Sequence, residues 1–250
     1  MVLPCPLLLS LTGLLAAAPE PPPPVPGYRL VFRDEFDGDQ LDTKVWDYRT
    51  GVRFWSTQLP ANVAVADGLL RLACRKERVG QTEYTAGGVI TKARYGHGYY
   101  EARLRCPPTK GWHTSFWMMQ NGGKPDELCG ELDVIENDSS RLDRYGVNCH
   151  HHRPAPHVGY GHKVVKTPDL SADFHTFGCL WTAEQVVYSF DGQVVQTVDV
   201  RARKLAPMNI WLTTIAAPLG GTDKVDESRL PVYAEYDWVR YWVPVTPPAG

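Results

Sequence analysis

The sequence lacks an excess of charge of either sign, since 26 Lys and Arg residues nearly balance 28 Asp and Glu residues and the net charge is -2. A protein that binds nucleic acid or anionic lipid over a broad surface needs a basic field, so the composition excludes both partners. A neutral partner is expected instead. The chain has eight Trp residues, and although most aromatic rings fill a core, such rings also grip the apolar faces of sugars.

Long hydrophobic runs are also missing beyond the first residues, so we expect no membrane in the mature form. The one apolar run, Leu7 to Ala18, is too short to cross a bilayer and ends in small residues. This is typical of a signal peptide, although no Lys or Arg precedes the run. We therefore expect a signal peptide over 1–18, a Pro-rich linker over 19–27 and one domain over 28–246, in a secreted, extracellular monomer. The alternative is an uncleaved tail.

No two cysteines have the C-x-x-C spacing, which disfavours a zinc ribbon and a redox dithiol. Removal of a signal peptide that contains Cys5 leaves five cysteines, at positions 74, 106, 129, 149 and 179. An oxidising compartment allows one or two disulfides with a thiol left over. Buried free thiols are the alternative, and the sequence leaves both open.

Sustained helical periodicity and internal repeats are absent too, which argues against solenoids and α/β architectures. Short apolar or alternating runs are instead separated by turn signals. Asp67-Gly68 and Asp191-Gly192 each lie between two such runs, and Asp-Gly is among the strongest hairpin signals. The runs cover residues 63–65, 69–73, 98–105, 177–181, 186–190, 194–200 and 236–243. The sequence therefore predicts an all-β antiparallel sandwich.

Acidic residues concentrate in one strand-like segment, Gly130 to Asn137. Glu131 and Asp133 are two residues apart, so they point to the same face of a strand. Glu136 would point to the opposite face of a regular strand, but one extra residue in a bulge returns it to the face of the other two. We therefore expect three carboxyl groups in a row on one sheet surface.

Two carboxyl groups about 5 to 5.5 Å apart are what a retaining glycosidase needs, one as nucleophile and one as acid and then base. Long Glu side chains at both ends can lean inward to reach this spacing. Asp133 between them is placed to hydrogen-bond the nucleophile and to keep the acid protonated through its negative charge. Taken alone, however, an E-x-D-x-x-E pattern is common on solvated strands and helices.

Further landmarks stand in order on both sides of the acidic segment. They are Phe32-Arg33-Asp34-Glu35-Phe36-Asp37, Leu41-Asp42, Trp46, Asn62, Asp67-Gly68-Leu69-Leu70, Gly88-Val89-Ile90-Thr91-Lys92, Tyr95-Gly96, Tyr100-Glu101-Ala102-Arg103, Gly111-Trp112, Phe116-Trp117-Met118, Asp173 to Gly178, Trp181, Asp191-Gly192 and Tyr236 to Tyr241. In this order they resemble glycoside hydrolase family 16, the laminarinase, lichenase and agarase group, over nearly all of residues 28–243.

The resemblance implies a concanavalin-like β-jelly-roll sandwich of two antiparallel sheets with a concave sugar-binding cleft. It makes Glu131 the nucleophile, Asp133 its helper and Glu136 the acid/base. The extra residue between Asp133 and Glu136 is similar to the bulged strand of laminarinases, agarases and carrageenases. The substrate-binding residues that it implies are Trp112, Trp117 and Asn62; core packing is the alternative for Trp117 and a turn-forming role the alternative for Asn62. Trp55, which is nearby, and His150, which is expected to hydrogen-bond the sugar near the acid/base, are further candidates. A metal site among His150, His151, His152, His157 and His162 is disfavoured, because adjacent strand residues alternate faces.

No cofactor is expected for catalysis. The family resemblance does imply a structural calcium remote from the cleft, held by backbone carbonyls at Glu35 and Gly68 and by the carboxylate of Asp237. Hard oxygen ligands suit this ion. An ordinary Asp-Gly turn and a surface Asp are the alternative.

The sequence departs from the family pattern near the cleft. It reads Trp112-His113-Thr114-Ser115-Phe116-Trp117 where laminarinases usually carry Trp-Pro-Ala-Phe-Trp. It has Thr213 or Thr214 where many members carry an Asn, and Val89 replaces an Arg.

These departures leave the substrate open. We expect a polysaccharide substrate. A β-1,3- or mixed-linked β-glucan is the first expectation, followed by a galactan of the agar or carrageenan kind. Transglycosylation would use the same covalent intermediate. A lectin-like glucan-binding module is the non-catalytic alternative, although such proteins have usually lost the catalytic Glu residues that this chain retains.

Overall fold

The computed structural model describes residues 21, 23–123, 127–153 and 155–246, and the predicted signal peptide over 1–18 lies outside them. Strands account for nearly all regular structure there, with two short 3₁₀ turns at Pro60–Asn62 and Leu219–Gly221. The described residues contain no helix with the length and apolarity to span a bilayer. The predicted all-β class is confirmed.

Two sheets pack face to face. The first, called the cleft sheet, has seven strands: β2 (Trp46–Tyr48), β8 (Gly88–Thr91), β10 (Trp112–Met119), β11 (Cys129–Asp138), β12 (Arg144–Arg153), β13 (Val158–Lys166) and β17 (Asn209–Ala216). Their order is β13-β12-β11-β10-β17-β8-β2, and every pair is antiparallel.

The second sheet, called the back sheet, has eleven strands: β1 (Tyr28–Asp34), β3 (Gly51–Arg53), β4 (Ser56–Gln58), β5 (Val63–Ala66), β6 (Leu69–Val79), β7 (Thr82–Ala86), β9 (Gly98–Arg105), β14 (His175–Trp181), β15 (Gln185–Phe190), β16 (Gln193–Asp199) and β18 (Val232–Pro244). Their order is β16-β15-β14-β9-β18-β6-β7-β4-β3, with β1 beside β18 and β5 beside β6. The pair of β4 and β7 is parallel, so this sheet is mostly rather than wholly antiparallel.

Both Asp-Gly turns close hairpins as the sequence predicts. Asp67 and Gly68 have φ angles of 55° and 72°, and Asp191 and Gly192 have 45° and 76°. Positive φ at both central residues matches the twist of the flanking strands and is easiest for Asp or Asn followed by Gly. These turns fix the registers of β5 with β6 and of β15 with β16.

The core lies between the sheets because alternate residues of each strand point inward. Leu132, Val134 and Ile135 of β11 meet the back sheet there and are at most 1% exposed. The hydroxyl of Tyr236 on β18 crosses the core and donates to the backbone oxygens of Ser115 and Thr213. This ties the back sheet to β10, which pairs with the acidic strand, and to β17, the next strand of the cleft sheet.

The cysteines of the described residues are buried free thiols. They are Cys74, Cys106, Cys129, Cys149 and Cys179. Of the two alternatives that the sequence leaves open, the structure therefore has the buried thiols. Burial raises the pKa of the Cys74 thiol to about 12, which keeps it protonated and unreactive at neutral pH.

Candidate active site

A bulge in β11 brings the three acidic side chains to one face. Phe116 on β10 pairs with Ile135, and the next residue, Trp117, pairs with Asp133, so Val134 is the extra residue. The same shift separates Asp133 from Glu136 in the pairing with β12. Val134 and Ile135 both point into the core, and the alternation then restarts with Glu136 outward. The predicted bulge is confirmed.

The three carboxyl groups line one cavity of about 360 Å³ on the outer face of the cleft sheet. Its walls come from the acidic strand, from β10 and β17, from the segment between β2 and β4, and from the 3₁₀ turn Leu219–Gly221. They comprise Arg49, Arg53, Phe54, His113, Ser115, Trp117, Glu131, Asp133, Glu136, Thr213, Ile215 and Leu219. The Glu136 side chain is the most exposed of the three acids at 37%, followed by Glu131 at 18% and Asp133 at 2%. A second cavity of about 250 Å³ lies on the other side of Glu136 and shares His113 with the first. Glu136 therefore stands where two cavities meet.

Asp133 is a buried carboxyl group that is hydrogen-bonded to Glu131. Burial is the main cause that raises its pKa well above the usual range, and the charges of Glu136 and Glu131 and a hydrogen bond to Glu131 act in the same direction. Nε2 of His150 lies 3.2 Å from Oδ2 of Asp133 but is not aligned for a hydrogen bond. Burial and the neighbouring carboxylates thus favour the protonated form of Asp133, which can donate to Glu131.

Three histidine rings stack beside Glu131. His150 and His152 are two residues apart on β12 and share a face, and His157, which precedes β13, stacks 4.7 Å from His152 and 5.2 Å from His150. Nε2 of His152 lies 3.0 Å from Oε2 of Glu131. His152 is a contact that the sequence reasoning missed, although its spacing from His150 places the two on one face.

His150 lies nearer to Glu131 and Asp133 than the prediction expected, although its charge also acts on Glu136. It pairs with Glu131 across the strands and contacts Asp133, whereas the prediction placed it near the acid/base. Donor atoms of Glu131, Asp133 and His150 lie within 4.8 Å of one another. The hydrogen bond between Asp133 and Glu131 and the contact of His150 with Asp133 account for this proximity.

Glu136 has a partner on β10. Nε2 of His113 lies 3.2 Å from Oε1 of Glu136, and Nδ1 lies 2.8 Å from Oδ1 of Asp138. Burial raises the pKa of Glu136, but the hydrogen bond and the charge of His113 outweigh it and leave the pKa below its ordinary value. The sequence marked His113 only as a departure from the family pattern, because its contacts depend on the pairing of β10 with β11.

Trp117 lies in the cavity, as predicted. Its ring stacks on that of Trp211 at 4.7 Å with an interplanar angle of 28°, and its Nε1 donates to Oγ1 of Thr213. The guanidinium of Arg49 lies over both rings. Burial, together with the like charge of Arg53, lowers the pKa of Arg49 to about 10. The sequence reasoning did not single out Trp211 or Arg49.

Three predicted cleft residues lie elsewhere, and the first is Trp112. Its side chain is 1% exposed and belongs to a second core cluster with Cys74, Ala86, Ala216, Val225 and Val232. β10 pairs with β17 without a shift, so Trp112 and Trp117, five residues apart, point to opposite faces. The prediction that Trp112 binds substrate is wrong.

Asn62 and Trp55 also lie outside the catalytic cavity. Asn62 is 3% exposed, and its side-chain amide donates to the backbone oxygen of Ala86, so it stabilises a turn. Trp55 packs against the second core cluster and lines a neighbouring cavity that shares Phe54 with the catalytic one. Val89 is fully buried, so this departure from the family pattern affects the core and not the cleft.

The residues of the calcium prediction lie at the end of β1, in the turn before β6, and on β18. The carboxylate of Asp237 pairs with Arg103, and that of Glu35 pairs with Arg240 at 2.7 Å. A calcium ion bound by the Asp237 carboxylate would replace its pairing with Arg103. The calcium site, with Glu35 and Gly68 as carbonyl donors, therefore stays a prediction.

Comparisons with known proteins agree with this geometry. The profile of glycosyl hydrolases family 16 matches residues 51–240. The chain is 33% identical over 193 residues to a glucan endo-1,3-beta-glucosidase from Cryptopygus antarcticus, covering 69% of this chain and 70% of that relative. It is 27% identical over 290 residues to a kappa-carrageenase from Pseudoalteromonas carrageenovora, covering 96% of this chain and 71% of that relative. It spans 60% of the length of a further curated beta-glucanase.

Among solved structures, the chain is similar to SCLam, a non-specific endo-beta-1,3(4)-glucanase, with a TM-score of 0.78 and 26% identity over 90% of this chain and 94% of that one. The profile match over residues 51–240 contains the whole acidic strand β11 and both strands that pair with it, β10 and β12. The sequence match, the jelly-roll sandwich and the acidic strand agree. The chain therefore belongs to glycosyl hydrolases family 16 and is an enzyme that hydrolyses O-glycosyl bonds.

Proposed function

We propose that this chain is a secreted retaining endo-glycosidase that hydrolyses β-1,3- or mixed-linked β-glucan through a covalent glycosyl-enzyme intermediate. Glu131 is the nucleophile and Glu136 is the acid and then the base. The observation that carries this proposal is the bulge at Val134, which turns both side chains toward one cavity. Two carboxyl groups on one face of a sugar-sized cavity are what a double displacement requires.

The surroundings of the two glutamates support this division of roles. Glu131 receives a hydrogen bond from the protonated Asp133 and contacts His152, so its carboxylate is held in one orientation, as an attacking group should be. Glu136 is twice as exposed as Glu131, at 37% against 18%. Its place between two cavities gives it access to the departing sugar on one side and to water after that sugar leaves.

The proposed glucan backbone rests on the aromatic platform and on the relatives. The ring of Trp117 offers an apolar surface in the cavity of the acids and is supported from below by the buried ring of Trp211, which suits the apolar face of a pyranose ring. A cationic transition state near an indole face is also favoured. The choice of glucan over other polysaccharides rests on the relatives that are named as β-glucan hydrolases.

A sulfated galactan is the second candidate substrate. Arg49 and Arg53 both line the catalytic cavity, and no ion pair with a carboxylate within the described ranges is found for either guanidinium. Arginine binds sulfate-like oxyanions well because its planar fork offers parallel donors. The relationship to a kappa-carrageenase agrees with this candidate.

The proposed stereochemistry has a direct test. Proton NMR of a digest of laminarin or barley β-glucan shows the anomer that forms first, before mutarotation. A retaining enzyme releases the β-anomer, and an initial α-anomer would contradict the covalent intermediate. A parallel digest of κ-carrageenan decides between the two substrate candidates.

Secretion is tested separately. The apolar run from Leu7 to Ala18 supports it. N-terminal sequencing of exported protein should find a first residue between Ala18 and Gly27. Recovery of the protein inside the cell with Met1 intact would contradict secretion and leave the enzymatic proposal untouched.

A further inference from the structure

His113 contacts two carboxylates at once, the one of Glu136 at 3.2 Å and the one of Asp138 at 2.8 Å. A neutral imidazole has only one N–H to donate, so a ring that donates from both nitrogens is protonated on both. The arrangement is that of an imidazolium between two carboxylates. His113 therefore couples Glu136, the proposed acid, to a second titratable group on the neighbouring strand β10.

Strand pairing places these three side chains together. His113 lies opposite Asp138, and Ser115 lies opposite Glu136, in the register of β10 with β11. A His side chain on β10 therefore reaches both its direct partner and the diagonal neighbour two residues away. The His113 side chain is 12% exposed, so the surrounding strands hold the ring in this orientation.

We propose that His113 is a positioning residue for Glu136, that it stores the proton that Glu136 delivers to the departing sugar oxygen, and that Asp138 holds His113 in place. The proposal rests on the proposed function, in which Glu136 is the acid/base. It adds a source for the proton, because Glu136 itself is ionised in the resting pair.

The proton balance closes over the two steps. In the first step the proton on Nε2 of His113 passes to Glu136 and from there to the glycosidic oxygen as its bond to the sugar breaks, and Glu131 forms the new bond to the anomeric carbon. His113 is then neutral and keeps its Nδ1–H toward Asp138. In the second step the attacking water gives its proton to Glu136, which returns it to Nε2 of His113 while the bond to Glu131 breaks.

The charges around the pair favour this storage. Burial lowers the pKa of His113, but the hydrogen bonds to Asp138 and Glu136 and their charges outweigh burial and raise the pKa to about 9. Uncharged Ile215 faces His113 from β17. Within the described residues, the other titratable or charged groups that line the two cavities with the pair or act on it are Arg49, Arg53, Glu131, Asp133, Arg141, Arg144, Tyr145, His150 and His162. Because His113 holds the proton, the pair of His113 and Glu136 keeps this proton up to about pH 9. Glu136 without His113 would lose its own proton at a lower pH.

The test compares the alkaline limb of kcat/KM on laminarin for the wild type, His113→Gln and Asp138→Asn. The matched control is His175→Gln, because His175 forms a similar His–Asp pair with Asp191 at 2.8 Å on the back sheet. We expect the limb of His113→Gln to move down by about one pH unit or more, with a loss of about 10²-fold or more above it. Asp138→Asn should shift the limb in the same direction by less, and His175→Gln should not shift it. An aryl glycoside with a good leaving group, which needs little protonation, should lose much less activity in His113→Gln.

A limb that stays in place in folded His113→Gln would overturn the proposal. A second measurement does not depend on activity: ¹⁵N-edited NMR of the wild type should show both ring nitrogens of His113 protonated at pH 8, and a ring that titrates below pH 7 would also overturn it. This measurement decides the matter if His113→Gln does not fold. If the wild type hydrolyses no glycan at any pH, the proposed function fails instead, and the NMR titration still reports on the pair.

Discussion

Nε2 of His152 lies 3.0 Å from Oε2 of Glu131, the proposed nucleophile. The ring is itself stacked on His157, so the contact fixes the orientation of the proposed nucleophile. Orientation of this kind lowers the barrier of the chemical step more than it strengthens binding of the ground state.

We therefore expect His152→Ala to lower kcat by about tenfold or more while KM changes little. His157→Ala is the matched control, because His157 belongs to the same ring stack and its Nε2 contacts Nδ1 of His150 instead of a carboxylate of the site. Steady-state kinetics of both variants on laminarin checks this. Equal losses in the two variants would mean that the stack as a whole, and not the contact with Glu131, matters.

Asp133→Asn should make the protein more stable and less active. Burial raises the pKa of the Asp133 carboxyl well above its usual range, so the folded state is penalised as pH rises above the unfolded-state pKa of about 3.9. The gain in stability should be absent below about pH 3, appear above about pH 4 and reach about 1.4 kcal/mol for each unit of the pKa shift. Urea unfolding of both proteins at pH 3 and pH 7 measures it. A variant that is less stable than the wild type at pH 7 would contradict the protonation assigned to Asp133.

Two tryptophans of β10 should respond to substitution in opposite ways. Trp112→Ala empties part of the second core cluster and should cost about 3–5 kcal/mol of unfolding free energy, with near-normal activity per folded molecule. Trp117→Ala should cost less stability and raise KM, because the platform with Trp211 is lost. Unfolding curves and kinetics of the two variants are the measurement. A large rise in KM in folded Trp112→Ala would contradict the placement of Trp112 in the core.

The sequence predicts the sheets, the two Asp-Gly hairpins and the face shared by the three acids, because each depends on local alternation or on turn chemistry. Strand alternation alone argues against the predicted position of Trp112 in the cleft. Residues 112 and 117 are an odd number apart, so a regular strand cannot turn both toward one cleft.

The contacts of His113, Arg49 and Trp211 could not be predicted in this way, because no local sequence pattern indicates them. His113 meets Glu136 and Asp138 only through the register of β10 with β11. Arg49 follows β2 and reaches the rings of Trp117 and Trp211 from across the sheet. These contacts join segments far apart in the chain, and only the assembled fold shows which segments meet.

The calcium prediction concerns stability and not catalysis. If Glu35, Gly68 and Asp237 bind calcium, a chelator should lower the melting temperature and added calcium should restore it, because an ion that binds only the folded state stabilises it. Arg103→Ala is an informative variant, since it frees the Asp237 carboxylate from its ion pair and should strengthen calcium binding. An unchanged melting temperature under chelator and under added calcium would rule the site out.

The two glutamates differ in what their loss does to each step. Glu131→Gln removes the attacking carboxylate, so it should abolish turnover of every substrate. Glu136→Gln removes the proton donor, which should cost about 10² to 10⁴-fold on a polysaccharide and much less on an activated aryl β-glycoside. The intermediate should then accumulate, because no base activates water.

Azide rescue of these two variants on an aryl β-glycoside tests the central assignment most directly. Azide needs no deprotonation, so it should intercept the intermediate in Glu136→Gln and give a β-glycosyl azide, while Glu131→Gln should give no azide product. Rescue of Glu131→Gln to a β-azide, with none from Glu136→Gln, would contradict the roles assigned to both residues.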